Sequence, residues 1–267
     1  MRMPEQKGVE LLKEKVPDLK TSKGKILSAL YIFGTFGGCL LFFIWFDGRV
    51  QYGPLISQLF LAFLGTVFSI VHFRTAVSYR EKYENLAYRY HFYHYVIPIL
   101  VTWYACCFHP LFVGGPELLP LWVAIVIGIL LLLLTILTEV QIEKSGFDVT
   151  THGMDIFTVF PEETPPVHGE IYSFIRHPLY FSLMCLSLCL AFFRNNLMAI
   201  LVALIFLIPI LTAINLEDRE LVGRYGDVHR DYIERTAAII PWKRPTGFLK
   251  LMVRIRHEQE DAKLEED

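Results

Sequence analysis

The stretch PLYFSLMCLSLCLAFFRNNLMAILVALIFLIPILTAINLED, residues 178–218, consists of two apolar arms, 178–193 and 197–214, joined by Arg194, Asn195 and Asn196. Helices joined by so short a connection must run antiparallel, which returns the end of the second arm to the level where the first began. The first arm is shorter than the roughly 20 apolar residues a bilayer core requires, a deficit that tilting or local thinning of the membrane can absorb. Toward the N-terminus, longer apolar runs lie at roughly 26–46, 53–74, 92–114 and 119–138. Each can satisfy its own backbone hydrogen bonds in hydrocarbon. The pattern predicts an all-α integral membrane protein with about six transmembrane helices.

The bulk numbers agree. Of 267 residues, 54% are hydrophobic and 19% charged, and the mean hydropathy is +0.42, beyond what a soluble domain carries. A formal net charge of −2 offers no electrostatic footprint for nucleic acid. Cys39, Cys106, Cys107, Cys185 and Cys189 all lie in apolar stretches without paired CxxC spacing, which suits small buried hydrophobes better than a disulfide framework or a zinc site. His72, His91, His94 and His109 are scattered and supply no metal-ligand motif; interfacial or hydrogen-bonded core positions are the expectation. Gly34, Gly37 and Gly38 in the first run would permit close helix approach, and the aromatic clusters at 42–46 and 103–108 suit lipid contact and interfacial anchoring.

Basic residues set the orientation. Lys13, Lys15, Lys20, Lys23 and Lys25 precede the first run, Arg74, Arg80, Lys82 and Arg89 follow the second, and Arg219, Arg224, Arg230 and Arg235 follow the last, whereas the opposite turns hold only Arg49 and Arg194. Both termini are therefore expected on the cytoplasmic side. The first twenty residues have no apolar core of a signal peptide, so the first span is expected to act as the insertion signal.

Two polar segments need explaining. The interval 139–175 is too long for a simple turn and carries the proline-rich FPEETPP at 160–166, the kind of connection that folds over a site. It leads into HGEIYSFIRHPLY at 168–180, where Tyr172, Arg176, His177 and Tyr180 crowd the start of the fifth run. Arg176 is placed either to hold a carboxylate or phosphate through its planar fork, or to snorkel to lipid headgroups. NLEDRELVGRYGDVHRDY at 215–232 is the other segment. Glu217 and Asp218 directly follow an apolar run, where unpaired carboxylates are costly. Glu220 and Arg224 have the spacing of an ordinary surface ion pair. Gly226 is suited to end one helix and Asp227 to cap the next. Brought together, these segments offer a guanidinium, an imidazole, phenols and carboxylates, a set that fits a zwitterion.

At these residues the chain resembles the membrane methyltransferase superfamily of isoprenylcysteine carboxyl methyltransferases, phospholipid N-methyltransferases and small-thiol S-methyltransferases. The elements that carry the resemblance are Gly169, Tyr172, Arg176-His177-Pro178-Leu179-Tyr180, Glu217-Asp218, Tyr225-Gly226, Tyr232 and Pro241, in order over about 75 residues. Asp218 stands where the pattern has a second glutamate, His229 where a tyrosine is common, and one extra residue separates Gly169 from Tyr172. The resemblance implies S-adenosylmethionine as cofactor, a C-terminal helical-hairpin cofactor site, and methyl transfer to a lipophilic or membrane-associated carboxylate, amine or thiol. It implies cofactor contacts by Tyr172, Arg176, His177, Tyr180, Glu217, Tyr225 and Tyr232, with Arg176, Asp218 and His229 near the chemistry; no metal is implied. For a thiol or amine, His177, His229 or a carboxylate is a candidate base.

The corresponding division of the chain is a cytoplasmic segment 1–25, a four-helix membrane region 26–138, a catalytic region 139–245 and an amphipathic, then acidic, tail 246–267. A nicotinamide-dependent membrane reductase related to sterol reductases is the competing enzyme, and a transporter or structural membrane protein the competing non-enzyme.

Overall fold

The computed structural model describes residues 4–148, 151–164 and 169–254. Its helices are α1 (Pro4–Lys15), α2 (Ser22–Asp47), α3 (Gly53–Tyr83), α4 (Ala87–His91), α5 (Ile97–Phe108), α6 (Leu121–Lys144), α7 (Ile156–Val159), α8 (Pro178–Arg194), α9 (Leu197–Ile205), α10 (Leu207–Tyr225), α11 (Asp227–Arg235) and α12 (Pro245–Val253). The prolines at 165–166, His168 and the acidic end of the tail fall outside the described residues.

The count of spans differs from the expected six. Among the described residues, four helical runs are long and apolar enough to cross a membrane: Ser22–Asp47, Gly53–Phe112, Leu121–Lys144 and Leu197–Tyr225. The runs at 53–74 and 92–114 merge because helical turns, including a π turn at Phe92–Val96, follow one another without a coil linker. Within this stretch Glu84 takes φ 48° and turns the chain, so that α5 lies along α3: Gln58 donates to the Cys106 carbonyl at 3.1 Å. Pro178–Arg194, at 17 residues, rises only about 26 Å at helical pitch, short of a hydrocarbon core of about 30 Å. The protein is a multi-pass, all-α membrane protein whose apolar residues Phe33, Leu41, Phe63, Trp122 and Leu130 face outward.

Local chemistry explains the helix ends. Thr21 accepts from the Gly24 amide at 3.0 Å to start α2, and Asn196 accepts from the Ala199 amide at 2.8 Å to start α9. Asn195 adopts the left-handed conformation, φ 50°, that closes α8, and its side chain holds the Leu119 amide and carbonyl at 3.0 and 2.8 Å. Asn196 reaches the Val113 carbonyl at 3.1 Å. The turn is thereby fastened to the 113–119 connection as well as to its own helices.

Gly128 faces α8: a Cβ there would stand 2.5 Å from the Phe193 ring, which would have to shift to admit it. Gly34, Gly37 and Gly38 differ from expectation: a Cβ on any of them would meet nothing within 4 Å. The main core joins Phe43, Leu61, Trp103, Cys106, Met184, Phe206 and Ile210, from five of the helices. All five cysteines are free and four are buried, in keeping with their apolar settings.

Two polar features pin the bundle. Near the α2–α3 turn, His109 shares a hydrogen bond with Asp47 Oδ2 at 2.7 Å through Nε2 and with Gln58 Oε1 at 2.9 Å through Nδ1. Its ring stacks on Phe43 with centroids 3.6 Å apart. At the other end, Lys15 pairs with Glu163 at 2.6 Å, Arg80 with Glu162 at 2.6 Å, and Arg89 with Asp18 through two contacts. These pairs join the N-terminal segment, the turn after α3 and the 156–164 segment. The basic part of the tail forms α12, where Phe248, Leu251 and Met252 cover Ile171 and Ile175.

Candidate functional site

The 236–239 segment positions the Arg-His-Pro corner. Ile175 and Ala237 form a parallel bridge, the Arg176 amide donates to the Ala237 carbonyl at 2.9 Å, and the His177 amide to the Ala238 carbonyl at 3.0 Å. Pro178 then opens α8 without a missing donor being felt. The corner lies beside α10, which carries Glu217 and Asp218.

Asp218 is the hub. Its Oδ2 accepts from Arg176 Nη2 at 2.9 Å, and its Oδ1 accepts from Arg176 Nε at 3.3 Å, lies 3.2 Å from His177 Nε2 and 3.4 Å from His229 Nε2. Arg176 also donates through Nη1 to the Ile233 carbonyl at 3.2 Å and to the Thr236 carbonyl. Its fork is thus occupied by a carboxylate and by the C-terminal carbonyls of α11, where a cation complements the helix dipole. Lys243 reaches the same carbonyls of Ile233 and Thr236 at 3.3 and 3.4 Å.

Glu217 is placed differently. It accepts from the Tyr180 hydroxyl at 3.0 Å and lies 3.3 Å from His177 Nδ1, yet 36% of its side chain stays exposed, against 13% for Asp218. His177 stacks on Tyr180 with planes 8° apart. Burial alone would lower its pKa, but the charge of Glu217 and the hydrogen bond to Asp218 outweigh that and raise it to about 9. His177 therefore carries a proton at neutral pH. Tyr232 donates to the Tyr172 carbonyl at 2.7 Å, and burial pushes its hydroxyl up to about 12 and raises that of Tyr172 as well.

All nine residues named from the sequence, Tyr172, Arg176, His177, Tyr180, Glu217, Asp218, Tyr225, His229 and Tyr232, line one cavity of about 960 Å³. Its walls correct the expectation of a C-terminal hairpin site. α8 is short, the returning arm is divided into α9 and α10 at Phe206, and Ser69, His72, Trp103, Tyr104, Asp155 and Thr158 from α3, α5 and the 147–164 connection close the space. The reason is geometric: two helices present a surface, and enclosing a cavity takes elements on the facing side.

Glu220 and Arg224 also depart from expectation. They pair as spaced, but on the cavity wall, with 26% and 18% of their side chains exposed, and Arg224 continues to Thr164 Oγ1 at 3.3 Å and the Phe157 carbonyl at 3.1 Å. The pair fastens the 156–164 segment over the site. His72, expected as an interfacial or hydrogen-bonded core position, lies 2.5 Å from Asp155, a further wall residue that the sequence did not single out. For His72 a signal existed, an ionisable residue in an apolar run; nothing local marks Asp155. Among the described residues no group of three or more His, Cys, Asp or Glu could hold a metal.

Residues 123–228 match the phospholipid methyltransferase family. Over 98 residues the chain is 35% identical to methanethiol S-methyltransferase 1 of Bradyrhizobium diazoefficiens, an alignment that covers 35% of this chain and 33% of the relative. The chain thus spans about a third of the length of the curated relative it matches. No solved structure matches. The matched segment contains α8, α10, Arg176, His177, Glu217 and Asp218, His229 lies one residue beyond its end, and both matches are to methyltransferases.

Proposed function

We propose that this protein transfers a methyl group from S-adenosylmethionine to a lipophilic or membrane-associated acceptor at this cavity, with both termini on the cytoplasmic side. The observation that carries the reading is the meeting of Arg176 and His177 with Glu217 and Asp218 on the wall of a cavity whose other walls are largely apolar. Glu217, which keeps part of its side chain open to the cavity, favours a cofactor that bears an ammonium group.

Glu217, with room for another partner, receives the ammonium group. His177 and Tyr180 hold Glu217 in place, Tyr172 and Tyr232 form the rim, and Tyr225, half exposed, closes over the cofactor. Arg176 and Asp218 act by fixing this wall, since their polar atoms are spent on each other and on α11. The sulfonium activates the methyl group, so what remains for the protein is alignment of the acceptor in line with the S–CH3 bond and exclusion of water. The pairs Lys15–Glu163 and Arg80–Glu162, which tie basic flanks to the 156–164 segment beside the cavity, support the shared cytoplasmic side.

Titration of the purified protein in detergent with S-adenosylmethionine tests the assignment. Wild type is expected to bind, and Glu217→Gln to bind at least tenfold more weakly at an unchanged melting temperature. Undiminished binding by both Glu217→Gln and His177→Gln would refute this placement of the cofactor.

A further inference from the structure

The wall facing the Asp218 hub holds a second set of titratable groups. Asp155 adopts a left-handed conformation, φ 58° and ψ 34°, which aspartate tolerates better than most residues. Its Oδ2 is 2.5 Å from His72 Nε2, and its Oδ1 accepts from the Thr158 hydroxyl. A carboxylate offers about four lone-pair sites, so acceptor capacity remains, and 39% of the side chain is exposed in the cavity wall shared with Glu217 and Tyr180.

Behind Asp155 the chain of groups continues into the core. His72, 1% exposed, turns its Nδ1 to His91 Nε2 at 2.7 Å. An ionised carboxylate only accepts, so His72 donates from Nε2; in the neutral imidazole Nδ1 is then the acceptor and takes the Nε2 proton of His91. His91 is fully buried, and its Nδ1 has no partner among the described residues. The three groups are oriented one way, with the carboxylate at the cavity end.

The ionisable groups of the hub are largely engaged with one another. Both nitrogens of His177 face carboxylates and it is already protonated, His229 shares its Nε2 with Asp218, and Asp218 is bound by Arg176 and His177. A carboxylate acceptor would meet Asp155, Glu217 and Glu220 with like charge, while Arg176 and Arg224 are spent on Asp218 and Glu220.

We propose that Asp155 is the catalytic base that takes the proton of the methyl acceptor, with His72 and His91 as positioning residues, so that the acceptor is a protic nucleophile, a thiol or an amine. This rests on the methyltransferase reading given above. In the step, the X–H electron pair stays on the acceptor atom as its proton passes to the Asp155 carboxylate. A lone pair on X forms the bond to the methyl carbon, and the electron pair of the broken S–CH3 bond stays on sulfur.

The test uses the full-length protein in detergent, methyl-labelled S-adenosylmethionine, and octanethiol, octylamine and octanoic acid as acceptors. A labelled thioether or methylamine is expected and no methyl ester. Asp155→Asn should lower kcat by about 10²–10⁴-fold, the range of general-base catalysis, with cofactor affinity little changed. The loss should fall below about tenfold for an acceptor free of its proton at neutral pH, an arenethiolate for a thiol enzyme or an alkylpyridine for an amine enzyme.

If Asp155→Asn fails to fold, His91→Phe serves instead, with a loss of about tenfold showing the same dependence on the acceptor. Methyl octanoate as product, an equal loss on protic and proton-free acceptors, weakened cofactor binding by Asp155→Asn, or cofactor binding with no product from any acceptor would each overturn the assignment. Failure of the wild type to bind S-adenosylmethionine would instead overturn the reading beneath it.

Discussion

The carboxylate–imidazole clusters around Asp47 and around Asp218 differ in one respect. Around Asp47, His109 and Gln58 the partners face inward: Ser57 donates to Asp47 at 2.6 Å, Gln58 donates to the Cys106 and Val202 carbonyls, both at 3.1 Å, and His109 is fully buried. Around Asp218 the partners are as numerous, but a neighbouring carboxylate, Glu217, keeps a third of its side chain open to a cavity. The same chemistry, closed, ties helices together; left with one half-satisfied member at a cavity wall, it can bind.

The largest effect is expected where the open cluster loses its hub. Asp218→Ala leaves Arg176 and protonated His177 buried without their carboxylate, and such removal of one partner costs about 3–5 kcal/mol. The melting temperature in detergent should fall sharply and cofactor binding should vanish. In the closed cluster, His109→Leu strands Asp47 and Gln58 Oε1, a loss on the order of 1–3 kcal/mol, but with cofactor affinity intact. If His109→Leu weakens S-adenosylmethionine binding as much as Asp218→Ala does, the division into binding and structural clusters fails.

A third experiment uses pH. The folded-state pKa of His177 is raised from 6.5 to about 9, so its contribution to stability is fully present below about pH 6.5 and disappears as pH rises through 9. Melting temperatures measured from pH 6 to 10 should decline across that window in the wild type and more gently in His177→Gln. A parallel decline in both would assign the pH dependence elsewhere. The smallest effect is expected from ending the chain after residue 257, beyond α12, whose Phe248, Leu251 and Met252 pack under the Arg-His-Pro corner. Initial rates should be close to wild type, and loss of cofactor binding would give the tail a part in closing the site.

What was legible in the sequence follows from short-range constraints. A turn of Arg194, Asn195 and Asn196 obliges the residues near 176 and 217 to meet, and both segments carried unusual polar content. Helical character was legible from apolar length, but the number of spans was not. The join of 53–74 to 92–114 depends on continuous helical turns through 84–96, which hydropathy does not report. The occupation of Arg176 was open from sequence, because its carbonyl partners at 233 and 236 become neighbours only through the Ile175–Ala237 bridge. Glu220 and Arg224 have identical spacing on a solvated face and on a cavity wall. Asp155 was illegible for the plainest reason: its partner His72 lies 83 residues away.

That bridge has a topological consequence. Arg176 and Thr236 are 60 residues apart along the chain yet bonded to each other, so α8 through α11 form a loop whose ends touch. Such a unit carries its own closure, and sequence drift in α3 and α5 can reshape the facing wall, and with it what the cavity accepts, without prising the ring open.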